Sequence, residues 1–171
     1  MDMMIDLETL DRNVGCVIVS CGAVVFDPDT GEEVKTYDWK PSLDEQLRNG
    51  YHVNADTLAW WMQQGNRELF TDRAGEFTII KFLDNFRDVA IGSRIQRLWC
   101  VGTDFDVAML RWLFNEYERV WPLSYQAARD VRTWCDALDI DRNMIPCDDL
   151  KEHNAVDDCK FAIRCVKAAK K

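Results

Sequence analysis

Residues 16–26 restrict the fold of this chain more than any other part of its sequence. Almost all of them are apolar, and many are β-branched. Such a run, with apolar residues at both odd and even positions, predicts a strand that is buried on much of both faces. Residues 27–31 contain Pro28 and Gly31 and are typical of a tight turn. Glu33–Trp39 is predicted to return as an antiparallel strand, which gives a hairpin.

Most of the remaining chain shows the spacing of amphipathic helices. Helices are predicted at residues 42–48, 56–64, 75–87, 106–117, 130–138 and 155–169. Short apolar runs predict two more strands, at residues 3–5 and 98–101. This order predicts an α/β domain in which helices flank one central mixed sheet.

Length and charge limit the class of protein. The chain has 171 residues, which suits a single domain over residues 1–171. Its formal net charge of -9 argues against a protein that coats nucleic acid with a basic surface, because that mode needs Lys and Arg to displace counterions. The charge does not exclude an enzyme that meets phosphates through bound metal ions. Neither a membrane-spanning run nor a secretory signal is visible, so we expect a cytoplasmic protein with no membrane partner.

Cysteine and histidine usage argues against a zinc site. The seven cysteines include no Cys-x-x-Cys pair, and His52 and His153 are the only histidines. A structural zinc site needs closely spaced ligands of these types. We therefore expect reduced and mostly buried thiols. Any proton transfer through imidazole near pH 7 must use one of the two histidines, and His52 is interpreted as structural.

The first candidate site residues are two acids at the end of the first predicted strand. Asp6 and Glu8 are two positions apart, so their carboxylates project from the same face of that strand. A close pair of carboxylates is costly unless a proton or a cation lies between them. Two solvated charges at a strand end are the alternative interpretation.

Two further acidic groups lie at the starts of predicted helices. Asp104 and Asp106 follow the strand at 98–101, and they either carry chemistry or cap the next helix. His153 precedes the last predicted helix and Asp158 lies on its first turns. An imidazole in a loop beside a carboxylate fixed by a helix suits a base that accepts a proton from water. A surface histidine beside helix-capping acids is the alternative.

The order of these residues along the chain resembles the DEDDh 3′–5′ exonucleases of the ribonuclease H-like superfamily. The resemblance covers nearly the whole chain and is greatest to the small bacterial and bacteriophage exoribonuclease-like branch. The segments that carry it are MIDLET (4–9), VFDP (25–28), DTLAWWMQQ (56–64), GTDFD (102–106), DVRT (130–133) and HNAVDD (153–158). One departure is the segment at 99–105, which includes Cys100, Val101 and Asp104 where the branch has small or amide residues. Asp104 is therefore an alternative to Asp106 as the metal ligand.

The resemblance implies a ribonuclease H-like fold and a two-metal-ion site for Mg²⁺ or Mn²⁺. Asp6 would bridge both ions, Glu8 and Asp158 would hold the ion that activates water, and Asp106 would support the other. His153 would be the general base. Ligands that are all oxygen suit a hard cation rather than zinc. The implied reaction releases nucleoside 5′-monophosphates from the 3′ end of single-stranded RNA or DNA.

The resemblance also suggests residues that bind the substrate. Leu7 and Thr9 would contact the terminal sugar. Trp60 and Trp61 lie on one predicted helix, and we expect one to be buried and the other to face the site, where it would stack on the terminal base. Arg132 would hold a substrate phosphate or an active-site carboxylate, with an exposed salt bridge as the alternative.

Two other functions are consistent with the sequence. One is a non-catalytic nucleic-acid-binding module with a degenerate site, and the other is a phosphodiesterase restricted to short oligonucleotides. The five motif positions all carry the expected residue types, which favours the exonuclease. Related enzymes often form homodimers, and the tryptophan content permits one. The charge predicts weak, metal-dependent engagement of a chain end, helped by basic residues near the carboxyl terminus: Arg164, Lys167, Lys170 and Lys171.

Overall fold

A computed structural model describes residues 1–65, 67–71, 73 and 76–168. The strands are β1 (Asp2–Thr9), β2 (Ile18–Phe26), β3 (Glu33–Trp39), β4 (Arg97–Cys100) and β5 (Ala128–Asp130). The helices are α1 (Leu43–Arg48), α2 (Ala55–Gln63), α3 (Glu68–Thr71), α4 (Ile79–Gly92), α5 (Asp106–Glu116), α6 (Val131–Ala137) and α7 (Ala155–Ala168). A short 3₁₀ helix covers Arg142–Met144.

The strands form one mixed sheet in the order β3-β2-β1-β4-β5. The pairs β1–β2 and β2–β3 are antiparallel, which confirms the predicted hairpin. The pairs β1–β4 and β4–β5 are parallel. All nine residues of β2 are buried, as its continuous apolar run predicts. The carboxyl ends of the parallel strands β1, β4 and β5 therefore lie at the same end of the sheet.

Helices cover both faces of the sheet, so successive side chains along a strand pack alternately into two cores. Met3 and Ile5 of β1 pack in a core that includes residues of α4 and α5. Met4 packs in the second core, with Val24 and residues of α6 and α7. This alternation follows from the period of two in a strand. The predicted α/β architecture, with a central mixed sheet flanked by helices, is confirmed.

Several element boundaries differ from the predictions. The helix predicted at 75–87 begins only at Ile79, because Phe77 forms an isolated β-bridge with Pro41 and Thr78 caps the helix. Gly75, its predicted start, lies outside the described residues, as does Ala169, the predicted end of α7. Asp130 ends the unpredicted strand β5 and also caps α6.

Two further predictions concern the cysteines and membrane-spanning segments. Cys147 is exposed and the other six cysteines are buried, all as free thiols, in agreement with the expectation. None of the helices in the described part of the chain has both the length and the apolar character required to cross a membrane.

Candidate active site

The two acids of β1 lie on the face of the sheet that α6 and α7 cover. Asp6 is directly opposite Gly22 of β2, and Glu8 is directly opposite Ser20. Met4, two positions before Asp6, packs in the core beneath α6 and α7, so Asp6 and Glu8 point to that side. Glu8 is only 8% exposed and Asp6 is half-buried. This placement rules out two fully solvated charges.

Gly22 allows the start of α7 to lie directly on the sheet. A Cβ atom at this position would lie 2.3 Å from the backbone carbon and oxygen of Ala155. The Cys159 thiol also lies 3.5 Å from the Gly22 carbonyl oxygen. The first turn of α7, which carries Asp158, is thereby held against the strand pair that carries Asp6. The sequence analysis did not select Gly22, although a glycine inside an apolar strand is a signal of close backbone approach.

A compact turn before α7 places His153 beside the carboxylates. The Asn154 side chain accepts a hydrogen bond from the Asp157 amide at 3.2 Å, and the Asn154 carbonyl accepts one from the Asp158 amide at 2.9 Å. His153 adopts a left-handed backbone conformation with φ of 55°. Ligand atoms of Glu8, His153 and Asp158 all lie within 4.8 Å of one another. Residues 145 positions apart in sequence are thus brought into one group.

Asp106 reaches the same group from the start of α5. Its Oδ1 accepts a hydrogen bond from the Leu7 amide at 3.1 Å, between the two acids of β1. The side chain is only 3% exposed. Asp104, the alternative ligand, is exposed. The structure therefore brings Asp106, rather than Asp104, to the carboxylates of β1.

Burial raises the pKa of all four carboxylates, and the charges of neighbouring site carboxylates add to the rise for Asp6 and Glu8. Burial, followed by the charges of Asp106, Glu8 and Asp158, raises the pKa of Asp6 well above its usual range. Burial and the charges of Asp158 and Asp106 raise the pKa of Glu8 to about 8. Burial also raises the pKa of Asp106 to about 7, against the opposing Leu7 amide, and the pKa of Asp158 to about 6, against the opposing charge of His153. Protons or cations must therefore neutralise part of this group at neutral pH.

The chemistry of the donors fits a divalent cation. The Oε1 atom of Glu8 is buried and has no hydrogen-bond partner among the described residues. A buried carboxylate oxygen is costly without a proton, a donor or a metal ion. Asp6, Glu8, Asp106 and Asp158 together offer only oxygen ligands, which suit Mg²⁺ or Mn²⁺.

Two cavities flank the acidic group. A cavity of about 660 Å³ is lined by Asp6, His153 and Asp158, and also by Arg142 and Phe161. The second cavity, of about 790 Å³, lies on the α2 side. Its lining residues come from β1, the β1–β2 loop, α2 and the segment before α5, and they include Leu7, Glu8, Thr9, Arg12, Asn54, Thr57, Trp60, Trp61 and Phe105. The acidic group therefore lies between two cavities.

The two tryptophans of α2 have different surroundings. Trp61 is 4% exposed and donates a hydrogen bond from Nε1 to the Thr9 carbonyl at 2.9 Å. Trp60 is 39% exposed, and the centre of its ring lies 4.7 Å from that of His153 in an edge-to-face arrangement. Leu7 is buried nearby. Trp60 is thus the more exposed of the two tryptophans.

The predicted basic residues differ in availability. Arg132 is exposed on α6, and its charge opposes the rise in the pKa of Asp106, so it lies near the acidic group. Arg164 forms an exposed 2.6 Å ion pair with Asp149, so a nucleic acid would compete with Asp149 for it. Lys167 is exposed. Lys170 and Lys171 lie outside the described residues.

The second histidine, His52, contacts the loop between β1 and β2. His52 Nε2 lies 3.2 Å from the carboxylate of Asp11. The His52 carbonyl also accepts a hydrogen bond from the Val17 amide. These contacts agree with the structural interpretation of His52.

Comparisons with known proteins identify the family and the fold of the chain. A family model described as the 3′-5′ exoribonuclease Rv2179c-like domain matches residues 1–170. No curated protein matches the chain. The nuclease domain of 3′hExo, a DEDDh family member bound to rAMP, has a TM-score of 0.61 at 12% identity, over 97% of this chain and 90% of that chain. Exonuclease X in complex with 5′ overhanging duplex DNA has a TM-score of 0.60 at 14% identity, over 99% and 90%. The Mg²⁺- and Mn²⁺-bound form of S. pombe Pop2p has a TM-score of 0.58 at 12% identity, over 95% and 80%. These similarities confirm the predicted ribonuclease H-like fold.

Proposed function

Because the chain belongs to the Rv2179c-like 3′-5′ exoribonuclease domain family, we propose that residues 1–171 form a two-metal-ion exonuclease domain. It would shorten single-stranded RNA or DNA from the 3′ end and release nucleoside 5′-monophosphates. The observation that carries this proposal is the convergence of four buried or half-buried carboxylates on one group that contains a buried oxygen, Glu8 Oε1, with no hydrogen-bond partner in the described part of the chain.

The residues of the acidic group would have different roles in hydrolysis. Asp6, Glu8, Asp106 and Asp158 would hold two divalent cations. When bound, such cations supply positive charge that binds the scissile phosphate and polarises the attacking water. His153 lies beside Glu8 and Asp158 and accepts the proton of that water. Its position in a turn before α7 lets the imidazole move while Asp158 stays fixed by the helix.

The cavity on the α2 side is the proposed site for the 3′-terminal nucleoside. Leu7 and Thr9 line it next to Glu8, where the terminal sugar would lie. The exposed ring of Trp60 offers a surface on which the terminal base stacks, a contact worth roughly 1–3 kcal/mol. We expect an unpaired terminal base to enter this cavity, so the proposed substrate is single-stranded. Arg132 would neutralise a substrate phosphate near Asp106.

The test is digestion of a 5′-labelled single-stranded oligonucleotide in Mn²⁺. The wild-type protein is expected to produce a ladder that shortens from the 3′ end. Asp6→Ala and His153→Ala should slow cleavage by about 100-fold or more, whereas His52→Gln, which retains a donor for Asp11, should cleave at the wild-type rate. Equal degradation by all four proteins would overturn the proposal.

Substrate length and binding separate the alternatives. We expect cleavage of oligonucleotides of many lengths, with mononucleotide products at every length. Cleavage confined to dinucleotides would instead identify a phosphodiesterase for short oligonucleotides. Binding of the oligonucleotide without any cleavage in Mn²⁺ would identify a non-catalytic binding module.

A further inference from the structure

Two neighbouring strands each carry a buried oxygen atom that lacks a hydrogen-bond partner within the described part of the chain. These atoms are Oε1 of Glu8 on β1 and Oγ of Ser20 on β2. Ser20 is only 1% exposed. Buried polar side-chain atoms are nearly always hydrogen-bonded, so each such atom calls for a physical explanation. None of the roles described above involves Ser20.

The register of the sheet places these two side chains next to each other. Glu8 is paired directly with Ser20 in the antiparallel β1–β2 ladder. Directly opposite residues project from the same face, with Cβ atoms about 4.5–5.5 Å apart. The next pair on this face, Asp6 with Gly22, lies beneath the start of α7. Ser20 therefore lies next to Glu8 on the same face of the sheet and is shielded from solvent.

The chemistry of the two groups is complementary. An ionised carboxylate only accepts hydrogen bonds, whereas a serine hydroxyl can donate one and rotates to suit its acceptor. A hydrogen bond to a charged oxygen is stronger than one between neutral groups. A donor on one oxygen of Glu8 would set the orientation of the carboxylate and leave its other oxygen for a cation.

We propose that Ser20 is a positioning residue: among the described residues its hydroxyl makes no hydrogen bond, and it donates one to the ionised Glu8 carboxylate when that carboxylate binds a cation, which orients the carboxylate. This inference rests on the proposed two-metal function. Hydrogen bonds to metal ligands tune metal affinity, and their loss typically weakens affinity or activity by about 10- to 100-fold. Because this buried hydroxyl has no partner within the described part of the chain, its removal should leave stability in EDTA unchanged or improve it. A simple packing role predicts instead a loss of stability in EDTA.

Three variants separate these roles. Ser20→Ala removes the hydroxyl and nearly preserves the side-chain volume, while Ser20→Thr retains a hydroxyl. Cys21→Ala is the matched control, because Cys21 is the adjacent buried residue of the same strand and packs in the core on the opposite face of the sheet. Mn²⁺ binding is measured by calorimetry, and thermal unfolding is measured in EDTA.

Ser20→Ala is expected to weaken Mn²⁺ binding by about 10- to 100-fold, with an unchanged or higher Tm in EDTA. Ser20→Thr should recover most of the affinity, and Cys21→Ala should bind Mn²⁺ as the wild-type protein does. Cleavage by Ser20→Ala should fall at limiting Mn²⁺ and return toward the wild-type rate at saturating Mn²⁺.

Two results would overturn the role of Ser20 alone. One is wild-type Mn²⁺ affinity in Ser20→Ala, and the other is a loss of affinity matched by a loss of Tm in EDTA, which would assign Ser20 to packing. If Ser20→Ala does not fold, wild-type affinity in Ser20→Cys, which carries only a weak donor, overturns the role and weakened affinity supports it. If the wild-type protein binds Mn²⁺ no better than Glu8→Ala, the proposed function itself fails.

Discussion

The close approach of α7 to the sheet makes Gly22→Ala the most informative single substitution. The added methyl carbon would lie 2.3 Å from the carbon and oxygen of Ala155 and 2.6 Å from the amide nitrogen of Val156. Non-bonded heavy atoms are normally separated by about 3.5 Å. The start of α7 must therefore move away from β2 by about 1 Å, because these neighbours are backbone atoms that cannot rotate aside.

This displacement should affect both stability and activity. Overpacking of a core typically costs about 1–3 kcal/mol, and a backbone collision belongs at the upper end of that range. For a chain of this size each kcal/mol lowers Tm by roughly 2–4 °C, so we expect a fall of about 6–12 °C. Asp158 moves with α7 relative to Asp6, and a misplacement of about 1 Å can slow catalysis by about 100-fold.

The measurements are thermal unfolding and, at a temperature where both proteins are folded, the rate of oligonucleotide cleavage at saturating Mn²⁺. Gly92→Ala is the matched control, because no described atom beyond its chain neighbours and the nearby backbone of its own helix lies within 4 Å of the added carbon at the end of α4. Its Tm should be equal or slightly higher, since alanine is the better helix former. A Gly22→Ala protein with wild-type Tm and wild-type rate would refute the reasoning that direct backbone contact at Gly22 positions Asp158.

Three other predictions concern individual side chains. Burial raises the pKa of Glu8 to about 8, so the metal-free folded state retains a proton that the unfolded chain releases near pH 4.5. Tm in EDTA should therefore fall as pH rises from 5 to 8, with a shallower fall in Glu8→Gln. A Tm that rises over this range would contradict the burial of that carboxylate. Added Mn²⁺ should raise Tm more at pH 8 than at pH 6, because the cation competes with protons. Trp60→Ala should raise KM by roughly tenfold, because it loses a base-stacking contact, with little change in Tm. Trp61→Ala should instead lower the free energy of unfolding by about 3–5 kcal/mol. Steady-state kinetics and denaturant unfolding test these two predictions, and an unchanged KM in Trp60→Ala would contradict the stacking role. Asp106→Asn should lower the cleavage rate by orders of magnitude while Asp104→Asn cleaves normally, and the opposite order in the same assay would make Asp104 the ligand.

Much of the fold follows from local patterns. The apolar run before the turn at 27–31 and the polar-apolar spacing of the later segments predict the hairpin and most helices, because strand and helix periods are properties of contiguous residues. The three-residue strand β5 is too short to show any period, so its pairing with β4 emerges only from tertiary packing. The resemblance to DEDDh 3′–5′ exonucleases, which depended on the order of motifs along the chain, is confirmed by the family model.

The candidate site shows the limit of local patterns more clearly. The sequence by itself determined which residue types are present and placed Asp6 and Glu8 on one face of a strand, because that depends on a period of two. Only the tertiary structure decided that Asp106, rather than Asp104, contacts the backbone of Leu7, 99 positions away. It likewise decided that Trp61 is buried, and that Ser20 lies opposite Glu8. These outcomes depend on how helices and strands pack, and packing is set by contacts between residues that are distant in sequence.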